Sequence, residues 1–199
     1  WRATSAICGA KKHPSMQFPL SKLPSTNAVQ PVCDALVERI ATQLLTRHAT
    51  LVTAESCTAG GIASALCRYP GASHWFKGSI VAYTEAVKSA LLCVPAEQIE
   101  RNGVVSASVA EEMAIGALRK FSADYALAST GAAGPSSPDD DTKVGTVWLA
   151  FASKKGGRTE CLNLKGSRNS ITQTAVQAAL TLCFRSLYHE TNPLSTYLL

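Results

Sequence analysis

From Pro31 onward the chain switches repeatedly between two kinds of apolar spacing. Leu36, Ile40, Leu44 and Leu45 recur at helical intervals within residues 31–48, which gives one apolar face to a helix. Residues 51–54 form a short, mostly apolar run of the kind found in a buried strand. Residues 62–68 return to helical spacing and stop at Pro70-Gly71. The aromatic and β-branched residues of 75–83 predict a strand, and residues 84–92 a short helix ending before Pro95. Val109, Met113, Ala117, Leu118 and Phe121 form the apolar face of a longer helix, with Ser108 and Glu111 at capping-box spacing near its start. Residues 124–129 read as a buried strand that runs into the glycine-rich Thr130-Gly131-Ala132-Ala133-Gly134-Pro135. Residues 136–143, with three consecutive aspartates, read as a solvated excursion. Residues 144–153 and 159–164 are two strands joined through Lys154-Lys155-Gly156-Gly157, a connection short enough to favour an antiparallel hairpin. Residues 168–189 are the last long helix. Helices alternating with strands, plus one hairpin, predict an α/β fold: a three-layer α/β/α sandwich with a mixed sheet.

Residues 1–30 break this pattern. They contain Pro14, Pro19 and Pro24 and no regular period, as expected of a tail or linker. The segment is basic, rich in hydroxyl residues and free of acids, which overlaps the composition of an organelle transit peptide. The folded domain is therefore expected over residues 31–190, with a short C-terminal tail over 191–199. The full 199 residues are 46% hydrophobic and 17% charged, so the chain can form one core and is not of disordered composition. Its apolar runs, such as residues 147–152, fall far short of the roughly 20 residues that a membrane span needs. The net charge of +5 changes meaning once it is located. Arg2, Lys11, Lys12 and Lys22 lie in the first 33 residues without any acid, which leaves 15 basic against 14 acidic residues beyond them. A basic excess on a tail does not predict a nucleic-acid surface on the fold. The seven cysteines show no C-x-x-C pair and no zinc-site spacing to histidine. They read as small buried hydrophobes in a reducing compartment, the cytoplasm.

The chemistry concentrates between the first strand and the second helix. Ser56 follows a buried strand and precedes a helix, where free backbone N–H groups favour negative charge. The same position suits an ordinary N-cap serine. Cys57 is a rival nucleophile, since a thiol at a helix N-terminus can acquire a lowered pKa. None of the four histidines, His13, His48, His74 and His189, stands in a recognisable catalytic context, so a Ser–His–Asp triad lacks its base. A neutral buried lysine can also activate a serine. Between residues 31 and 142 the lysines are Lys77, Lys88 and Lys120. Lys88 is the unusual one, five residues after Tyr83 on a short helix that follows a strand; an exposed helix lysine is its plain alternative.

These residues carry a resemblance. Thr53-Ala54-Glu55-Ser56-Cys57-Thr58-Ala59-Gly60-Gly61 closely resembles the T-A-E-S-C-T-G-G signature of the CinA C-terminal domain family, which includes stand-alone nicotinamide mononucleotide amidohydrolases. Pro70-Gly71-Ala72-Ser73 with Trp75-Phe76, the stretch from Tyr83 to Lys88, Gly103-Val104-Val105-Ser106, Thr130-Gly131-Ala132-Ala133-Gly134-Pro135, Lys143-Val144-Gly145-Thr146-Val147-Trp148 and Gly166-Ser167-Arg168 are similar to further family segments, in family order. Three positions depart: Ala59 for the usual first glycine, Glu85-Ala86 for Asn-Glu, and Ser167 for the aspartate before Arg168. A pyrophosphatase-type domain found fused to some members is absent from these residues.

The resemblance implies deamidation of nicotinamide mononucleotide to nicotinate mononucleotide and ammonia, a step of pyridine-nucleotide recycling, without metal or cofactor. It implies Ser56 as nucleophile, Lys88 as base and Tyr83 as the group that orients or relays the proton. Substrate would be bound by Glu55, Cys57, Thr58, Ala59 and Gly60, with backbone N–H groups at the helix start around residues 57–60 at the oxyanion. Thr130, Gly131 and Ala132 would offer hydroxyl and backbone donors to the ribose phosphate, beside the Arg168 guanidinium. It also implies a homo-oligomer with a site formed partly across subunits. A catalytically weak nucleotide-binding or assembly module is the alternative within the same family.

Overall fold

The computed structural model describes residues 29–139 and 142–191. Residues 1–28 and 192–199 of the expected tails, Cys8, and two of the three consecutive aspartates lie outside the described residues, whereas residues 29, 30 and 191 of those tails belong to helices. In chain order the elements are α1 (Val29–Thr46), β1 (Leu51–Glu55), α2 (Gly61–Cys67), β2 (Phe76–Val81), α3 (Glu85–Leu92), α4 (Ala96–Asn102), α5 (Ala107–Phe121), β3 (Tyr125–Gly131), β4 (Thr146–Ser153), β5 (Gly156–Asn163) and α6 (Arg168–Thr191). The strands form one sheet in the order β2-β1-β3-β4-β5. β1 runs parallel to β2 and β3, whereas β3–β4 and β4–β5 are antiparallel. This is the expected mixed sheet, closed by the expected hairpin.

Period-two alternation divides the core. Leu51, Tyr125, Leu127, Leu149 and Phe151 face a layer built from α1, α2 and α6. Val52, Ala54, Ala126, Ala128, Ala150 and Ala152 face α3, α4 and α5. The second face is alanine-rich, so α5 lies close to the sheet on Val109, Ala110, Met113, Ala114 and Ala117, all buried. Burial on both faces explains why β1 and β3 read as nearly continuous apolar runs instead of alternating ones.

Four local expectations need correction. Helix α4 escaped the sequence pattern, because its seven residues bury only Ile99. The N-cap of α5 is Ser106, whose hydroxyl accepts from the Val109 N–H, and not Ser108. The strand after α5 runs on through Thr130 and Gly131, and the hairpin turn narrows to Lys154-Lys155. Of the described cysteines, Cys33, Cys57 and Cys183 are buried as expected, but Cys67, Cys93 and Cys161 are exposed.

The connections place a functional position before any side chain is considered. α2 carries the chain from β1 to β2 across one face, and α3, α4 and α5 carry it from β2 to β3 across the other. The first crossover moves to one side of β1 and the second returns past β1 to its other side, so a crevice opens beyond the carboxyl ends of β1 and β3. Open α/β sheets place ligands in such a crevice. Ser56 is the first residue past β1.

Candidate active site

Ser56 is not the cap of α2. The helix begins at Gly61, with Gly60 in the capping position at φ 91° and no side-chain cap. Residues 56–60 form a turn, fastened at one end by the Ser56 N–H on the Ser129 carbonyl at 2.9 Å. That bond joins the carboxyl ends of β1 and β3. Gly61 packs under α6, where an added Cβ would meet Cγ2 of Val176 at 2.9 Å.

The group that satisfies the α2 N-terminus is Glu55. Its fully buried carboxylate accepts from the Ile62 N–H at 3.0 Å and the Ala63 N–H at 2.8 Å. It also accepts from the hydroxyls of Thr58 at 2.7 Å, Thr53 at 3.2 Å and Ser79 at 3.4 Å. A buried carboxylate with this many donors and a helix N-terminus before it is compensated in charge and hydrogen bonding. Glu55 is thus occupied with structure, and the substrate-binding role expected for it finds no free acceptor. Thr58 is likewise engaged, between Glu55 and the Ser129 hydroxyl at 2.7 Å.

Lys88 reaches Ser56 from the opposite face of the sheet. It sits on α3 with 1% of its surface exposed, and Nζ lies 3.0 Å from Ser56 Oγ and 3.0 Å from the Ala82 carbonyl. No carboxylate among the described residues is paired with it. Burial holds its pKa below the usual lysine value, against smaller opposing effects of Cys57 and Glu85. The exposed-lysine alternative is excluded by this placement. Ala82 is fixed in turn, because its N–H donates to the Glu55 carbonyl at 2.8 Å.

Cys57 is 5% exposed, and burial pushes its thiol up to about 11, against a hydrogen bond with Ser129 that lowers it. A thiol in that range stays protonated near neutrality and is a poor nucleophile. Within the turn, the N–H groups of Ala59 and Gly61 are spent on the carbonyls of Ser56 and Thr58. The N–H groups of Cys57, Thr58 and Gly60 have no backbone acceptor among the described residues.

The glycine-rich segment also differs from expectation. The Thr130 hydroxyl donates to the Val104 carbonyl at 2.8 Å, and the Ala132 N–H to the Thr146 carbonyl at 2.9 Å. These donors tie β3 to its surroundings instead of facing a ligand. Gly131 is required by packing, since a Cβ there would meet the Thr146 carbonyl oxygen at 2.8 Å. Arg168, the first residue of α6, donates from Nη1 to the Gly134 carbonyl at 2.5 Å and from Nη2 to the Tyr83 hydroxyl at 2.6 Å. Tyr83 is therefore drawn to Arg168, and no hydrogen bond joins its hydroxyl to Ser56 or Lys88 among the described residues.

Sequence reasoning missed Ser129, Ser79 and the Ala82 carbonyl. Ser129 stands opposite Glu55 in the parallel register of β1 and β3, so only the strand pairing reveals it. The Ala82 carbonyl leaves no side-chain signal.

The CinA C-terminal domain model matches residues 33–187. A CinA-like protein of Flavobacterium psychrophilum is 41% identical over 155 residues, covering 77% of this chain but 37% of the relative. The nicotinamide-nucleotide amidohydrolase PncC of Escherichia coli K12 is 38% identical over 159 residues, covering 78% of this chain and 95% of the relative. The chain thus spans well under half of the first relative and nearly all of the second. Among solved structures, the competence damage-inducible protein A of Klebsiella pneumoniae matches with a TM-score of 0.77 at 32% identity, over 79% of this chain and 98% of that one. A competence/damage-inducible protein of Agrobacterium tumefaciens matches with a TM-score of 0.75 at 32% identity, over 85% and 99%. With the family model spanning the whole sheet and the Ser56 turn, the chain belongs to the CinA C-terminal domain family.

Proposed function

We propose that the chain is an amidase that hydrolyses the carboxamide of nicotinamide mononucleotide to nicotinate mononucleotide and ammonia, with Ser56 as nucleophile and Lys88 as general base. The observation that carries this reading is the 3.0 Å contact between Ser56 Oγ and a lysine amine that is buried and joins no ion pair among the described residues. The Escherichia coli relative, named for this activity and matched over 95% of its length, supports the substrate.

Neutral Lys88 takes the Ser56 proton as Oγ attacks the amide carbon. The C–O bond forms, and the carbonyl π electrons move onto oxygen. The N–H groups of Cys57, Thr58 and Gly60, which have no backbone acceptor among the described residues, are the donors available to that oxyanion; each such donor contributes about 3–4 kcal/mol when aligned. Lys88 then gives its proton to the amide nitrogen, the C–N bond breaks and ammonia leaves an acyl-enzyme. Water attacks the ester carbon as Lys88 takes its proton, the bond between that carbon and Ser56 Oγ breaks to release nicotinate mononucleotide, and Lys88 returns the proton to Oγ. Arg168 at the rim holds the 5′-phosphate, where a guanidinium offers paired N–H donors.

The test is ammonia release from nicotinamide mononucleotide by the purified chain, run beside Ser56→Ala. Release by the wild type and its loss in the variant support the reading. Undiminished release in Ser56→Ala removes the serine from the chemistry, and nucleotide binding without release makes the chain a binding module.

A further inference from the structure

Tyr83 and Arg168 are 85 residues apart in sequence, yet the guanidinium donates to the phenol oxygen at 2.6 Å. Three chain segments meet at this point: the β2–α3 connection through Tyr83, the loop after β3 through Gly134, and the start of α6 through Arg168. Both acceptors are neutral, and Arg168 joins none of the ion pairs among the described residues. The side chain is therefore fixed without being neutralised. A guanidinium has five N–H donors, so the two bonds to protein leave Nε–H and one hydrogen on each terminal nitrogen for an anion. Lys88, meanwhile, is held by Ser56 and by the carbonyl of Ala82, the residue next to Tyr83. The anion-binding cation and the reactive pair are thus attached to adjacent residues of one connection.

We infer that Tyr83 is a positioning residue for Arg168 and not a proton relay: it holds the guanidinium where the substrate phosphate arrives, and so sets the preference for phosphorylated over phosphate-free nicotinamide riboside. The inference rests on the amidohydrolase reading above. An exposed arginine otherwise spreads over many rotamers and loses that freedom on binding. Anchoring it beforehand moves the loss out of the binding step.

A double-mutant cycle tests this. Tyr83→Phe, Arg168→Ala and the double variant are titrated in a Ser56→Ala background with nicotinamide mononucleotide and with nicotinamide riboside, and their kinetics are measured with Ser56 intact. Removing one hydrogen bond of this kind should weaken mononucleotide binding about three- to tenfold. The riboside should show a clearly smaller loss. The double variant should bind no more weakly than Arg168→Ala alone. The kinetic loss in Tyr83→Phe should lie in KM, with kcat keeping its pH profile. Multiplicative losses in the double variant would show that Tyr83 contacts the substrate by itself and overturn the inference. A fall in kcat with KM retained would restore the relay. If Arg168→Ala leaves the discrimination between the two ligands intact, the phosphate assignment fails and the role of Tyr83 with it. If no ammonia is released but the binding cycle behaves as described, the amidase reading fails while the Tyr83–Arg168 assignment stands.

Discussion

Ala59 is the most costly single departure from the family signature. Its φ is 50°, in the left-handed region, and Gly60 follows at φ 91°. Two successive residues of this kind are what bend the chain from the end of β1 into α2. Glycine tolerates the conformation, whereas a Cβ there costs roughly 1–2 kcal/mol. Ala59 is exposed, so its methyl group returns little through packing. Ala59→Gly relieves the strain and adds about 0.4–1 kcal/mol of unfolded-state entropy. The balance predicts a more stable protein, with a melting temperature higher by about 1–3 °C for a domain of this size. Thermal unfolding of the variant beside the wild type measures it; an unchanged or lower melting temperature would mean that the turn relaxes without strain. Cys57, two residues earlier, is a different case. Its thiol, pushed up to about 11 by burial, packs in the core and serves the turn through its volume and its bond to Ser129.

At the scale of elements, the α2 N-terminus depends on a residue outside the helix. Glu55 binds Ile62 N–H through one oxygen and Ala63 N–H through the other. Glu55→Gln keeps the shape but turns one of those oxygens into an NH2 group that faces an N–H. A buried donor left without an acceptor costs about 1–3 kcal/mol. The variant should therefore lose that much stability in chemical denaturation, and the loss should exceed any change in substrate KM. Unchanged stability with a raised KM would instead return Glu55 to the substrate side. This cap marks the limit of what the sequence discloses. Helices α1 and α5 were legible because each buries a contiguous apolar face, and β1 because it is a short run buried on both faces. The Ser56–Lys88 pair was legible because signature residues and a rare core lysine stood out in the chain. The capping bonds of Glu55 were not, since the family resemblance assigns this strand-end carboxylate to substrate until the helix is seen to start at Gly61. The bonds of the Thr130 and Ala132 donors were hidden for the same reason. Their acceptors, the carbonyls of Val104 and Thr146, belong to segments brought near only by the fold.

At the scale of the whole molecule, both layers of the sandwich converge on one amine. α3 belongs to the layer opposite α2, and from it Lys88 reaches past the sheet to a serine and a carbonyl at the ends of β1 and β2. Burial lowers its pKa, and the sign of two pH dependences follows. For catalysis, activity should rise with pH along a single ionisation below the ordinary lysine value of about 10.4. Lys88→Arg keeps a cation that cannot deprotonate, and Lys88→Met keeps the stem without the amine. Each should lose about 10²–10⁴-fold in kcat, the usual worth of a general base, with arginine no better than methionine. Substantial kcat in Lys88→Arg would make Lys88 a fixed charge instead of a base. For stability, the unfolded chain binds the Lys88 proton more tightly than the folded one. The unfolded state therefore holds more protons at any pH between the lowered folded pKa and the unfolded one. Stability contributed by this group must rise with pH through that window and level off above it. The thiols of Cys57 and Cys183, raised by burial to about 11 and about 12, act in the opposite sense above their ordinary value of 9.0. Their effect is, to first order, common to wild type and variant. Denaturation of the wild type and of Lys88→Met across the alkaline range should then give a difference that grows in favour of the wild type as pH rises. The midpoint of its onset should coincide with the midpoint of the kcat/KM profile, which reports the free enzyme, because one proton on one amine governs both. Two separate midpoints would assign the kinetic ionisation to another group and leave Lys88 only a structural part in the site.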